Sequence, residues 1–205
     1  MPFVSRALQM QKNIITAKTF SRSLVYARGM RVQGLVRDPE EVLSTDGHKY
    51  GASEENLASL KGYLSQVSPN VKLSDDLLLQ VLTHKSFAHG LKPYNATLSH
   101  LGTQLIQFSA GKKIAESGDI SQLGTAIYRQ LWSDKFLADF AESKGIDKVF
   151  FCRKALKDGE SNETYKPKKI FATIPRSLVG AIAATHGKKV AESFIEKEIL
   201  SANEQ

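Results

Sequence analysis

The 205-residue chain has a single cysteine, Cys152, so no internal disulfide can staple the fold. It has no apolar run near the roughly 18 residues that span a bilayer, which predicts a protein that does not cross a membrane. The missing cysteine pair, with five histidines that show no His-Glu-x-x-His spacing, speaks against zinc. No internal repeat and no low-complexity tract is present. What is there, 41% hydrophobic residues at this length, fits one globular domain with a sizeable core and an extension.

Acidic residues are absent from the first 37 positions, where Arg6, Lys12, Lys18, Arg22, Arg28, Arg31 and Arg37 accumulate. These seven account for the whole net charge of +7, because 21 bases face 21 acids in the remainder. Apolar Phe3, Ala7, Met10, Ile14 and Ala17 recur among them at three-to-four spacing. An arginine-rich, acid-free and amphipathic start predicts a mitochondrial transit peptide over residues 1–28, and hence a matrix protein. The other reading is a basic arm retained on the mature chain to bind polyanions. Beyond it, Asp38 to Asp76 carries eight acids and three bases, whereas Leu77 to Ala191 carries nine acids and seventeen bases.

Glycine and proline punctuate residues 29–52, read as an extended lead-in. A domain is expected over 53–200, with 201–205 as a tail. Ser53 is a candidate N-cap for a helix with Leu57, Leu60, Leu64 and Val67 on its apolar face, which Ser68-Pro69-Asn70 would end. Ser74 caps a second helix, with Asp75 and Asp76 in its first turn. A third runs from about Asn95 through QFSAGKKIAESG. Asp119 to about Lys144 reads as one long helical stretch buried through Leu123, Ile127, Leu131, Phe136, Leu137 and Phe140. KVFFCRKAL has strand character, and KDGESNETYKPKK is a polar loop. Two further helices are expected over about Ile170 to Thr185 and Lys188 to Leu200, separated at Gly187. The class is all-α. Trp132 and the phenylalanines fall at helical spacing and read as core.

The third helix opens NATLSHLGTQLI, Asn95 to Ile106. Ser99 and Thr103 share one face, Leu98, Leu101, Leu105 and Ile106 line a neighbouring one, and Gly102 would admit another backbone. The stretch resembles the ribonuclease III signature Asn-Glu-Arg-Leu-Glu-Phe-Leu-Gly-Asp-Ser-Val-Leu, sharing Asn95, Leu98, Leu101 and Gly102. LTHKS, Leu82 to Ser86, is similar to that family's Leu-Thr-His-Arg-Ser. FATIPRSLVGAI, Phe171 to Ile182, resembles its second signature helix, with Ala172, Leu178 and Gly180 in common. The resemblance covers roughly residues 71–200 and implies the helical endonuclease-domain fold.

Members of the family hold Mg²⁺ with four carboxylates, because a hard cation needs oxygen ligands and negative charge. The resemblance places those acids at Ser99, Thr103, Thr173 and Arg176, and a further signature Glu at Ala96. None of the five is acidic. A permanently charged guanidinium in such a set would repel the cation. The expectation is therefore a scaffold with no catalytic residue, no metal and no cofactor. Glu116 and Asp119 are the nearest acids but lie past the end of the motif. THGKK, Thr185 to Lys189, has the wrong glycine spacing for a phosphate loop. His84 pairs with no recognisable carboxylate or nucleophile and reads as structural.

Lys112, Lys113, Arg153, Lys154, Lys157, Lys166, Lys168 and Lys169 form basic clusters that could grip RNA phosphates. Together with the presequence, these features resemble the ribonuclease III-like components of the mitochondrial large ribosomal subunit. That resemblance implies contacts with ribosomal RNA and neighbouring ribosomal proteins. The family's interface phenylalanine is replaced by His100, beside Leu101. The resemblance then implies an unlike partner at this face, such as a second ribonuclease III-like protein, in place of a homodimer. An inactive subunit of an RNA-processing complex and an active double-strand-specific endoribonuclease are the competing readings.

Overall fold

The computed structural model describes residues 24–27, 30–33, 44–45, 48–118, 120–153 and 167–201. Most of the expected transit peptide, Asp119, Lys154, Lys157, Lys166 and residues 202–205 lie outside them. Two compact units are present, Met1–Glu41 and Val42–Gln205. In the first, β1 (Leu24–Ala27) and β2 (Met30–Gln33) pair antiparallel, with Val25 opposite Val32. The remaining elements belong to the second.

That second unit is helical apart from a short antiparallel pair, β3 (Ser44–Thr45) with β4 (His48–Lys49), and one isolated bridge among the described residues. The expected serine caps form. The Ser53 hydroxyl accepts the Asn56 N–H at the start of α1 (Glu54–Val67), and the Ser74 hydroxyl accepts the Leu77 N–H at the start of α2 (Asp75–Val81). Each satisfies a donor that a helix start leaves without an intrahelical partner. The Asn56 side chain ties the lead-in to α1 by donating to the carbonyls of Lys49 and Gly51, both at 2.9 Å. Tyr50 stacks on Phe87 with ring centroids 5.2 Å apart and meets Phe151 edge-on.

The long helix α3 (Ala96–Glu116) packs along α7 (Thr173–His186), which forms the middle of the core. Ile174, Leu178, Val179, Ala181 and Ile182 of α7 are fully buried. A four-residue turn, α6 (Lys168–Phe171), leads into α7. Gly187, at φ +87°, ends it and hands the chain to α8 (Lys188–Phe194), which continues as a π-helical segment, Ile195–Leu200. A left-handed φ of this kind is cheap only for glycine.

The stretch expected as one helix over 119–144 is broken. A 3₁₀ turn (Ile120–Gln122) and Gly124 at φ +83° precede α4 (Ala126–Gln130), capped by Thr125. Ser133 then caps α5 (Asp134–Ser143). Helical periodicity runs straight through these positions, but the local hydroxyl caps compete with the helix and win. Leu131, Leu137 and Phe140 are buried as expected, whereas Leu123 and Ile127 are 42% and 61% exposed. Of KVFFCRKAL, the described residues 148–153 contribute a single parallel bridge, Thr83 to Phe151, rather than a strand, and the rest lies outside the described residues.

Candidate functional site

Gly102 on α3 and Gly180 on α7 bring the two helices into backbone contact. A Cβ on Gly102 would overlap the Arg176 carbonyl, and one on Gly180 would overlap the Leu98 carbonyl. Without side chains at this crossing the first turns of both helices converge, which gathers Ser99, Thr103 and Thr173 at one place.

Asn95 fastens the convergence. It is buried, its backbone N–H donates to the Thr83 carbonyl at 2.9 Å, and its amide donates to the Val81 carbonyl and the Thr173 hydroxyl, both at 3.2 Å. The side chain is thus committed across the core and does not cap α3, whose first turn also contains no acid.

The LTHKS segment forms another edge of the site. The His84 N–H donates to the Phe151 carbonyl at 2.8 Å, and the Phe151 N–H donates to the Leu82 carbonyl at 2.9 Å. The Ser86 hydroxyl accepts the Arg153 N–H at 3.0 Å and stands 2.8 Å from His84 Nδ1, which also accepts the Ser86 N–H at 3.1 Å. These contacts make Nδ1 an acceptor and put the ring proton on Nε2. Burial lowers the pKa of His84, which keeps the ring neutral near pH 7. The sequence context of His84 shows no recognisable carboxylate or nucleophile beside it, and its hydroxyl partner, Ser86, two residues on, is found only in the fold.

Between these elements opens a cleft of about 710 Å³, lined by His84, Lys85, Ser86, Asn95, Ala96, Ser99, His100, Thr103, Arg153 and Thr173. Three of the four positions that the signature resemblance assigns to acids line it. The two threonine hydroxyls already donate to carbonyls of the preceding helical turn, Thr103 to the Ser99 carbonyl at 2.7 Å and Thr173 to the Ile170 carbonyl at 2.6 Å. Arg176 does not line the cleft. Its Nη1 donates to Asp134 Oδ1 at 2.7 Å and its Nη2 to the Trp132 carbonyl at 3.0 Å, so the guanidinium is a strut between α7 and the start of α5. Any effect it has on a cation in the cleft acts at longer range than direct replacement of a ligand implies.

These donors do not fit a hard divalent cation. No carboxylate is among the lining residues, two of which, Lys85 and Arg153, are cations. Among the described residues no group of three or more His, Cys, Asp or Glu side chains is placed to hold a metal ion.

A family model described as ribonuclease-III-like matches residues 74–203. The chain belongs to this ribonuclease III-like family. Over 125 residues it is 30% identical to the large ribosomal subunit protein mL57 of Schizosaccharomyces pombe, covering 60% of this chain and 59% of that protein. It is 29% identical over 135 residues to ribonuclease 3 of Corynebacterium efficiens, covering 61% of this chain and 51% of that enzyme. The ribonuclease III-like chain therefore spans between half and three fifths of the length of these relatives. The nuclease domain of ribonuclease III from Campylobacter jejuni superposes with a TM-score of 0.53 at 22% identity, covering 69% of this chain and 96% of that domain. This superposition identifies the fold, the mostly helical one of a ribonuclease III nuclease domain.

The basic clusters expected from sequence fare unevenly. Lys112 pairs with Glu196 at 2.9 Å, which raises its pKa, and Lys113 donates to the Leu200 carbonyl. Lys168 pairs with Asp139 at 2.6 Å, while Lys169 is exposed. Among the described residues of these clusters, Arg153 alone lines the cleft. Sequence reasoning passed over Lys85, although it sits inside LTHKS. His100, which lines the cleft, is exposed, and on the same helix Leu101 is 41% exposed and Phe108 is 52% exposed under the Lys188 ammonium at 4.2 Å. Phe108 is therefore a surface residue, contrary to its expected place in the core.

Proposed function

We propose that this ribonuclease III-like chain is a non-catalytic structural constituent of the mitochondrial large ribosomal subunit. It would act in mitochondrial translation by supporting ribosomal RNA and neighbouring ribosomal proteins. The observation that carries the reading is the cleft, which has hydroxyl side chains at three of the four positions that the signature resemblance gives to metal-binding acids and no carboxylate among its lining residues. Ser99, Thr103, Thr173 and Arg176 are the replaced acids on this reading. The similarity to mL57, by its name a large ribosomal subunit protein, supports the ribosomal assignment.

Residues 1–28 direct the chain to the mitochondrial matrix, residues 29–52 precede the folded domain, and 53–200 form it. The exposed His100 and Leu101, with Phe108 along the same helix, offer an apolar face to an unlike protein, a second ribonuclease III-like chain being the natural fit. Arg153 and Lys169, together with Lys154, Lys157 and Lys166, face RNA.

Sedimentation of mitochondrial lysate carrying a tagged copy tests this directly. Co-migration with the large ribosomal subunit through a moderate salt wash is expected, and recovery only in a lighter complex would reject it. Similarity to ribonuclease 3 favours one rival, an active double-strand-specific endoribonuclease. That rival requires Mg²⁺-dependent cleavage of duplex RNA by the purified chain.

A further inference from the structure

The cleft that lacks acids has the makings of an anion site. Lys85 and Arg153 reach it from the two segments joined by the Thr83–Phe151 bridge, and the Ser86 hydroxyl fixes the backbone of Arg153. Among the described residues neither cation has a carboxylate partner, unlike Lys112 and Lys168. The neutral His84 keeps a single ring donor, Nε2–H. Asn95 and Ala96 put the start of α3, a helix of 21 residues, at the same opening. With no acid in that turn, the positive end of the helix dipole adds to the two side-chain charges. At about 710 Å³ the opening has room for more than a single bare ion.

We propose that this cleft seats a phosphodiester of an RNA strand directly on Lys85 and Arg153, with no bridging metal ion. The inference rests on the RNA-facing role proposed above and goes beyond it by naming the group bound and the residues that bind it. The site expected to hold cations in this family has, on this reading, exchanged the sign of its ligand.

The test uses the purified full chain and a fluorescently labelled RNA hairpin, read by anisotropy across a salt series in the presence of EDTA. Wild-type binding is expected to survive chelation. The double variant Lys85→Gln/Arg153→Gln is expected to flatten the dependence of log K on log salt by roughly 1.4 to 1.8, the share of two phosphate contacts. The comparison variant Lys61→Gln/Lys135→Gln removes the same charge outside the cleft and is expected to change the slope by less than half as much. Both pairs are surface substitutions, and unchanged circular dichroism verifies the fold. Equal slopes in the two double variants, or loss of wild-type binding in EDTA, overturn the proposal. Competition by inorganic phosphate and by a mononucleotide separates the sources of phosphate. Displacement of the hairpin by mononucleotide as effectively as by unlabelled RNA assigns the cleft to a free nucleotide and overturns the assignment to RNA. A chain that sediments with the large subunit but shows no cleft-dependent slope defeats this inference alone. One that shows the slope but never joins the subunit defeats the ribosomal reading.

Discussion

At Gly102 and Gly180 a hydrogen stands where any other residue would put a carbon into the backbone of the facing helix. Helix backbones cannot yield as a flexible side chain can, so Gly102→Ala or Gly180→Ala is expected to cost about 3 kcal/mol in urea denaturation. Gly62, exposed in the middle of α1 with nothing near its missing Cβ, should behave oppositely. Gly62→Ala is expected to gain about 0.5 to 1 kcal/mol, because a helix interior favours alanine. Arg176→Glu introduces the residue type that the signature resemblance implies at this position but sets a carboxylate against Asp134 and the Trp132 carbonyl. Asp134 is half exposed, which moderates the penalty, and a loss of about 2 kcal/mol is expected with no Mg²⁺ binding in calorimetry. For His84 the folded-state pKa lies below the ordinary 6.5, so between the two values the unfolded chain binds more protons. Stability should therefore fall as pH drops below about 6.5, and His84→Gln should flatten that part of the stability profile.

Helix starts were the most legible elements, because a serine hydroxyl acts on donors two or three residues away and needs no tertiary partner. Ser53 and Ser74 cap as their sequence context predicts. The same chemistry at Thr125 and Ser133 was masked by uninterrupted apolar periodicity, and so one expected helix is two with a turn before them. Ser133→Ala should cost about 1 kcal/mol by leaving the Phe136 N–H without its acceptor. Because α5 opens with Asp134, the partner of Arg176, this loss should be non-additive with Arg176→Met in a double-mutant cycle, whereas Ser53→Ala should add independently. Asn95 shows the converse case. It stands where a cap belongs, yet its amide is used on Val81 and Thr173, a choice only the packing of α2, α3 and α7 can make.

For the whole molecule, the distribution of charge matters more than its sum. A cleft bounded by cations and hydroxyls gives a divalent ion no differential affinity for the folded chain, and a ligand that does not bind the native state cannot stabilise it. The melting temperature is accordingly expected to be the same in Mg²⁺ and in EDTA, measured by scanning fluorimetry; a magnesium-dependent rise would contradict the acid-free reading of the site. The sequence alone determined the helical class and the family frame, and it holds no acid at Ser99, Thr103, Thr173 or Arg176, since residue type, spacing and capping are local properties. Only tertiary structure decided which of those positions share a cleft. Ser99, Thr103 and Thr173 meet there because two glycines let α3 and α7 touch, while Arg176 turns away to reach an acid 42 residues earlier. It likewise decided that Lys112 and Lys168 have acidic partners while Lys85 and Arg153 face the opening. Ion pairing depends on distances in space, and spacing along the chain does not encode them.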